Sequence, residues 1–240
     1  MKPILPWLTL AATAAFLLSP LVTDPFSGFA PDRFPVPQVN PPVQPAGYAF
    51  AIWSVIYLWL GISAIVGVWA RRGDDGWHRM QLPLTLSLGP GALWLWVAGV
   101  NAPAATALIF WMLGCALWAV LTVPRKDRWL AQAPVALYAG WLTAAAHVSL
   151  GILLGGYGLA TPENAAVIGL GLAVLIGLGV ALARPHVPEY TIAVIWALIG
   201  VLVANLGASV LVQVVVIVAL GVMSGAMFYG LRAGQARAGL

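Results

Sequence analysis

The chain has 240 residues, of which 62% are hydrophobic and only 8% are charged, with a formal net charge of +4. About a quarter of the residues of an ordinary soluble domain are charged, so this composition excludes a water-soluble globular protein and predicts that the bilayer is its main solvent. The positive charge does not indicate a nucleic-acid partner, because the basic residues stand at the ends of apolar runs, and the single cysteine, Cys115, excludes an intrachain disulfide and a CxxCH haem attachment.

Apolar runs alternate with short polar, Pro- or Gly-containing breaks along the whole chain, and each run is long enough for a membrane-spanning helix. We predict spans at 3–23, 47–70, 80–100, 103–123, 130–154, 164–183, 189–206 and 208–231. The expected fold is an all-α integral membrane protein of about eight transmembrane helices, with the lipid bilayer as its first partner. The weakest breaks are Asn101-Ala102-Pro103 and Asn205-Leu206-Gly207, where a kinked continuous helix is the alternative.

The basic residues test this division, because positively charged loops stay in the cytoplasm. With eight spans, every basic residue except Arg33 falls on one side: Lys2, Arg71, Arg72, Arg79, Arg125, Lys126, Arg128, Arg184, Arg232 and Arg237. This pattern favours eight spans with both termini in the cytoplasm. The expected location is a bacterial inner membrane. The first run could also be a cleaved signal peptide, but it lacks a clear A-x-A site and is long enough to span, so we expect it to be retained.

The first outward connection, residues 24–46, is rich in proline. The prolines that define it are Pro35, Pro37, Pro41, Pro42 and Pro45. Proline has no backbone N–H donor and a fixed φ, so it holds the chain extended. We therefore expect residues 24–46 to form a semi-rigid strap, the name used below, that lies over the helices as a lid.

Two predicted helices carry aromatic and small residues on one face. The stripe of the second span is Phe50, Trp53, Tyr57 and Gly61, and that of the fifth span is Pro134, Tyr138, Trp141, Ala145 and Ser149. The third span adds Trp94 and Trp96. At 1.5 Å per residue Trp53 lies about 10 Å below the outer end of its helix, Trp94 about 9 Å, Ala145 about 13 Å and Trp141 about 20 Å, and these overlapping depths indicate an outward-opening pocket for a flat apolar ligand. Interface anchoring and helix packing also produce such stripes, so these alternatives stay open.

These motifs resemble the TspO/MBR family, the tryptophan-rich sensory proteins related to the translocator (peripheral benzodiazepine receptor) protein. The residues that are similar to the family's motifs are Pro41, Pro42, Tyr48, Phe50, Trp53 and Tyr57 before and in the second span, and Pro134, Tyr138, Trp141 and Ala145 in the fifth. The resemblance covers residues 1–156 and implies a TspO-like five-helix unit, with 157–240 as three additional transmembrane helices. Gly91 and Ser149 depart from the family, which often has Asn at both positions.

The resemblance implies a receptor, sensor or carrier that binds porphyrin-like or other flat apolar ligands between its helices. The implied ligand contacts are Pro42, Pro45, Tyr48, Phe50, Trp53, Tyr57, Trp94, Trp96, Tyr138, Trp141, Ala145 and Ser149. No cofactor is required, and a bound porphyrin or haem would be a ligand. Two alternatives stay open: a secondary transporter with Gly89-Pro90-Gly91 as a hinge, and an enzyme that degrades a bound tetrapyrrole, although the chain offers no acid, base or metal set for one.

His147 is the one titratable side chain well inside a span, which makes it a candidate ligand of haem iron. It lies six residues after Trp141, about 240° around the helix, and should point away from the aromatic face. We favour a neutral histidine that is hydrogen-bonded to another helix, and we interpret Asn205 and Gln213 as interhelical polar contacts.

Charged and small residues elsewhere indicate packing and topology more than chemistry. The pair Asp74-Asp75 stands among arginines, where a solvated loop is favoured over a metal site. The small residues Gly169, Gly171, Gly177 and Gly179 permit close helix packing and a homodimer.

Overall fold

The computed structural model of the chain describes residues 4–24, 26 and 28–238, with the side chains of 233–238 excepted. The described residues form helices and connecting turns, and they contain no β-strand. The α-helices are α1 Leu5–Leu18, α2 Ile52–Trp69, α3 Asp75–Gly91, α4 Trp94–Val100, α5 Ala102–Thr122, α6 Ala133–Gly156, α7 Pro162–Ala183, α8 Pro188–Ala204 and α9 Val210–Ala238. The prediction of an all-α fold is confirmed.

Six apolar segments are long enough to cross a membrane, because about 20 helical residues at 1.5 Å per residue span its hydrocarbon core. They are Gly47–Trp69, Asp75–Val100, Ala102–Thr122, Arg128–Gly156, Pro162–Ala183 and Val210–Arg232, and two shorter apolar helices are Leu5–Leu21 and Pro188–Ala204. Together they correspond to the eight predicted spans. Three of them extend the α-helices with other helical turns: 3₁₀ at Ser19–Leu21 after α1, 3₁₀ at Gly47–Ala51 before α2 and π at Arg128–Gln132 before α6.

The two breaks that looked weakest in the sequence are true helix ends. Asn101 is extended, with φ −147° and ψ 99°, and its side chain accepts a hydrogen bond from the Ala104 N–H to cap α5. Gly207 has φ +79°, a backbone conformation that favours glycine. Because α4 packs on α5 and α8 packs on α9, each pair is two separate helices and not one kinked helix.

The chain divides into two compact units. The first unit comprises Met1–Phe26 and Ala51–Leu142, and the second comprises Ser27–Phe50 and Thr143–Leu240. In the first unit α3 packs against α1 and α5, and in the second α9 packs against α7 and α8. The boundary between the units falls inside α6, whereas the domain boundary predicted from the resemblance follows residue 156, and that domain division stays a prediction.

From residue 28 on, the described part of the strap belongs to the second unit, where hydrogen bonds fix it. The Ala46 N–H donates to the Gly200 carbonyl at 3.0 Å, and the Val36 N–H donates to the Gly156 carbonyl at 2.9 Å. The Asn205 amide donates to the Pro42 carbonyl at 2.8 Å. The prolines of the strap have no backbone N–H to donate. The strap is therefore held by the N–H groups of its other residues and by its carbonyls, as a semi-rigid segment requires.

Asp127 joins the helix ends at one face of the first unit. Its carboxylate accepts hydrogen bonds from Arg71 Nε at 2.6 Å, Arg71 Nη2 at 2.8 Å and Trp77 Nε1 at 2.9 Å. Asp127 itself has φ +57°, a left-handed conformation that Asp tolerates. The hydrogen bond from Arg71 lowers the pKa of Asp127 to about 2, against the opposing effect of partial burial, and the Trp77 N–H adds to the lowering.

Asp74 has a structural role beside this network. Its side chain caps α3 by accepting from the Gly76 and Trp77 N–H groups, and its other oxygen forms an ion pair with Lys126. The Lys126 hydrogen bond is the main reason that the pKa of Asp74 lies below its usual value. The predicted solvated loop is thus a capped helix start with an ion pair.

Candidate functional site

Five aromatic side chains from three helices of the first unit form a cluster. The Trp53 and Tyr57 rings are stacked, with centroids 5.2 Å apart and planes 24° from parallel. Phe16 of α1 meets Trp53, Tyr57 and Tyr138 edge to face at 5.5 to 5.9 Å, and Trp141 meets Trp53 at 6.2 Å. These are the offset and edge-on geometries that aromatic quadrupoles prefer. We call these five residues the aromatic cluster.

The aromatic cluster has a buried side and a partly exposed side. Tyr138 and Trp141 are buried, at 0% and 2% exposure, and Phe16 is buried with them. Trp53 and Tyr57 are half-buried. The stacked pair therefore offers accessible ring surface in front of a buried aromatic wall, which is an arrangement suited to stacking a flat apolar molecule.

A buried hydrogen-bond chain holds Tyr138 in place. Ser87 of α3 donates its hydroxyl proton to the Met112 carbonyl at 2.8 Å, so Tyr138 is the donor in its 2.8 Å hydrogen bond with the Ser87 oxygen. The sequence analysis did not identify Ser87 or Phe16. Ser87 stands in an apolar run with no motif around it, and α1 has no aromatic stripe that would single out Phe16.

Gly91 makes room for this packing. A Cβ at Gly91 would lie 2.8 Å from Met112 Cε and 3.2 Å from the Phe16 ring. Real Cβ atoms do not approach within 3.0 Å, so any larger side chain would displace Met112 or Phe16. The resembled family often has Asn at this position, and the structure gives a steric reason for the glycine in this chain.

The two tryptophans of α4 differ in their surroundings. Trp94 donates its indole N–H to the Ala105 carbonyl at 2.9 Å and meets Phe26 at 5.0 Å. Trp96 is 66% exposed, as expected of a residue in an interfacial aromatic belt. Their contact with a ligand stays a prediction.

The remaining predicted contacts belong to the second unit: Pro42, Pro45, Tyr48, Phe50, Ala145 and Ser149. There Tyr48 meets the Trp196 ring edge to face at 5.6 Å, and Trp196 donates its indole N–H to the Ala49 carbonyl at 2.8 Å. Ser149 is buried and Ala145 is half-buried. The prediction that these residues contact the same ligand as Trp53 and Trp141 stays a prediction, as does the lid role of the strap.

His147 is buried in the second unit, with 2% exposure. Its Nδ1–H donates to the Thr143 carbonyl one turn earlier in α6, at 2.7 Å, so this hydrogen bond lies within its own helix and is not the predicted bond to another helix. The Thr143 hydroxyl shares a 2.7 Å hydrogen bond with the Tyr190 hydroxyl of α8. Within the described residues, no three His, Cys, Asp or Glu side chains lie close enough to hold a metal ion.

The interhelical role predicted for Gln213 is confirmed, whereas the Asn205 side chain bonds the strap and its own helix instead of a second helix. Besides its contact with the strap, Asn205 donates to the Val201 carbonyl at 2.8 Å, and Gln213 of α9 donates to the Asn205 carbonyl at 2.9 Å. The Gln213 amide thus joins α9 to the end of α8.

The second unit also contains a small apolar cavity of about 20 Å³, which is room for about one water-sized molecule. Its lining includes His147, Gly169, Ala173, Ala197 and the strap residue Val43. A ligand of porphyrin size is far larger than this space.

Comparison with known proteins extends the resemblance along the chain. The family of TSPO-like proteins matches residues 36–229, which include most of the segment that the motifs alone placed outside the five-helix unit. No curated protein and no solved structure matches the chain. Because the family match spans well over half of its residues, this all-α integral membrane protein belongs to the TSPO-like protein family.

Proposed function

We propose that the protein is a membrane receptor or sensor that binds a flat apolar ligand of the porphyrin type at the aromatic cluster. Family membership supports a sensory or binding role in the membrane in general terms. The observation that carries the specific proposal is the stacked, half-buried Trp53–Tyr57 pair in front of buried Trp141 and Tyr138. A planar macrocycle would replace lipid on the accessible face of this pair and gain stacking and dispersion energy there.

Titration with protoporphyrin IX tests this proposal in the detergent-purified protein. We expect saturable binding, followed by the shift of the porphyrin absorption band, and Kd values about three- to tenfold higher for Trp53→Phe and Trp141→Phe. Trp118→Phe is the matched control, because Trp118 is 46% exposed on α5, outside the cluster. Absence of saturable binding would refute the porphyrin assignment, and equal weakening by the control would place the ligand on lipid-exposed tryptophans.

A transporter is the second candidate, because the third span is interrupted. It ends as α3 at Gly91, turns at Ala92-Leu93 and resumes as α4 at Trp94. Ala92 and Leu93 keep right-handed helical backbone angles, so the interruption is a local turn suited to a hinge and not an unwound ion site. Saturable uptake of porphyrin into proteoliposomes would favour transport over sensing, whereas loss of porphyrin absorbance with a defined product would favour a degrading enzyme.

We further propose that the protein lies in a bacterial inner membrane with both termini in the cytoplasm, and the placement of its basic residues supports this orientation. Site-specific labelling in spheroplasts tests this orientation in a Cys115→Ala background. A membrane-impermeant maleimide should label Val39→Cys in the strap, where Val39 is 70% exposed, before permeabilisation. It should label Gly73→Cys, between α2 and α3, only afterwards, and the opposite order would place the termini outside.

A further inference from the structure

One end of the first unit holds more positive charge than its own carboxylates can neutralise. The loops between α2 and α3 and between α5 and α6, with the first five residues of α3, contain six Lys or Arg and three acidic side chains: Arg71, Arg72, Arg79, Arg125, Lys126 and Arg128 against Asp74, Asp75 and Asp127. This leaves a formal excess of three positive charges. The ion pairs Arg71–Asp127 and Lys126–Asp74 bring the two loops together.

The three carboxylates already have hydrogen-bond or ion-pair partners within the protein. Asp127 accepts from Arg71 and Trp77, Asp74 caps α3 and pairs with Lys126, and Asp75 lies 3.7 Å from His78. In the part of the chain that the structure describes, neither Arg79 nor Arg125 has a carboxylate within ion-pair distance. Both side chains are exposed, so two guanidinium groups remain available to an anion from outside.

Two further arginines lie against tryptophan rings. Arg72 lies over Trp7 at 5.8 Å, and Arg128 lies over Trp129 at 5.2 Å from the ring centroid. Trp129 is 62% exposed and stacks on Trp59 at 6.2 Å. Exposed indole rings settle at the level of lipid headgroups, so these rings place the arginines at the depth of lipid phosphates.

We propose that this end of the first unit binds the headgroups of anionic phospholipids. Guanidinium groups donate two parallel hydrogen bonds to phosphate oxygens, which makes arginine well suited to a phosphodiester. A phospholipid fits better than a free phosphate ion, because its acyl chains lie along the apolar helix ends while its headgroup meets the arginines. A basic surface beside helix ends on the cytoplasmic side is the expected place for such lipids.

Native mass spectrometry of the whole protein with phosphatidylglycerol or phosphatidylcholine tests this proposal. We expect phosphatidylglycerol to bind wild type more tightly than phosphatidylcholine, and the double variant Arg79→Gln/Arg125→Gln to lose roughly tenfold or more of that affinity. The control Arg33→Gln/Arg232→Gln removes two exposed arginine charges outside these loops and should change the affinity less than twofold.

Several outcomes would overturn the proposal. Equal affinity of wild type for the two lipids would show that these arginines serve topology alone, and an equal loss in the control would mean that only net charge matters. Displacement of bound lipid by millimolar inorganic phosphate would point to a free anion instead. Wild type supplies a measurement that needs no variant, since its preference for phosphatidylglycerol should weaken as salt is raised.

Discussion

Replacing Gly169 by alanine is expected to destabilise the protein by about 1–3 kcal/mol, because the added methyl group has no room. A Cβ at Gly169 would lie 2.6 Å from the carbonyl oxygen of His147 and 3.5 Å from Val43 Cγ2. The first neighbour is backbone, which cannot rotate away as a side chain could. The methyl group must therefore separate α7 from α6, with loss of packing along the contact. The midpoint of thermal unfolding in detergent, followed by circular dichroism, measures the effect.

Gly171→Ala is the matched control on the same helix. A Cβ at Gly171 would meet nothing within 4 Å, so this substitution should be neutral or stabilise by up to about 1 kcal/mol through helix propensity. The glycines that the sequence analysis grouped as one packing motif thus divide into two classes. Gly169 and Gly177 face neighbours within the second unit, the latter with Met223 Cε 3.1 Å from a Cβ, whereas Gly171 and Gly179 face open space. Equal unfolding midpoints for the two variants would contradict a backbone contact between α6 and α7.

Asp127→Asn is expected to destabilise the protein by about 1.5–3 kcal/mol, the usual value of a hydrogen bond to a charged group. Asparagine keeps the shape of the side chain and tolerates the left-handed backbone at this position. The substitution removes the negative charge that pairs with Arg71, and it replaces one acceptor oxygen by an NH₂ group that can only donate. The same detergent unfolding experiment measures the loss, and Asp32→Asn, an exposed carboxylate of the strap, is the control with little expected effect.

The pH dependence gives an independent test of the Asp127 contacts. The pKa of Asp127 is about 2 in the folded protein and about 4 for an ordinary aspartate. The folded protein therefore protonates Asp127 less readily than the unfolded chain does. The contribution of the Asp127 carboxylate to the free energy of unfolding is complete above pH 4 and is lost as the pH falls towards 2. The stability advantage of wild type over Asp127→Asn should be constant near neutrality and should shrink between pH 4 and 2. An advantage that persisted at pH 2 would contradict a paired carboxylate.

A double-mutant cycle with Arg71→Gln separates the pair from the two single effects. If Arg71 and Asp127 stabilise the protein mainly through each other, the double variant should be only slightly less stable than either single variant. Additive losses would instead mean that each side chain acts through other contacts, such as the Trp77 indole N–H on Asp127.

The hydrogen bonds that hold the strap also indicate a role for the helices after residue 156. Gly200 and Asn205 on and after α8, and Gly156 at the end of α6, hold the strap through hydrogen bonds. The sequence analysis treated 157–240 as an addition to the ligand-binding unit, whereas the family match includes most of it. Fixing the strap gives these helices a structural role that their apolar sequences do not reveal.

The sequence determined the number and approximate positions of the spans, because a bilayer demands about 20 apolar residues for each crossing and the breaks are short. It also identified Trp53, Tyr57, Tyr138 and Trp141, since aromatic residues at helical spacing must share a face. Asn101 and Asn205 looked ambiguous because the same residue types occur in kinks and in caps. The backbone conformation at Asn101 and the turn at Gly207 decided between them.

Only the tertiary structure decided which helices contact the aromatic cluster, the packed glycines and the strap. Phe16 of α1 belongs to the aromatic cluster, and Ser87 of α3 holds its Tyr138 by a hydrogen bond. Neither has a sequence signal, because contacts between helices depend on rotation and depth that apolar runs do not specify. The same reason explains why Gly169 is tightly packed while Gly171 is open, and why the strap is fixed to α8. Periodicity along one helix fixes its faces, but which neighbour covers each face is decided by packing of the whole chain.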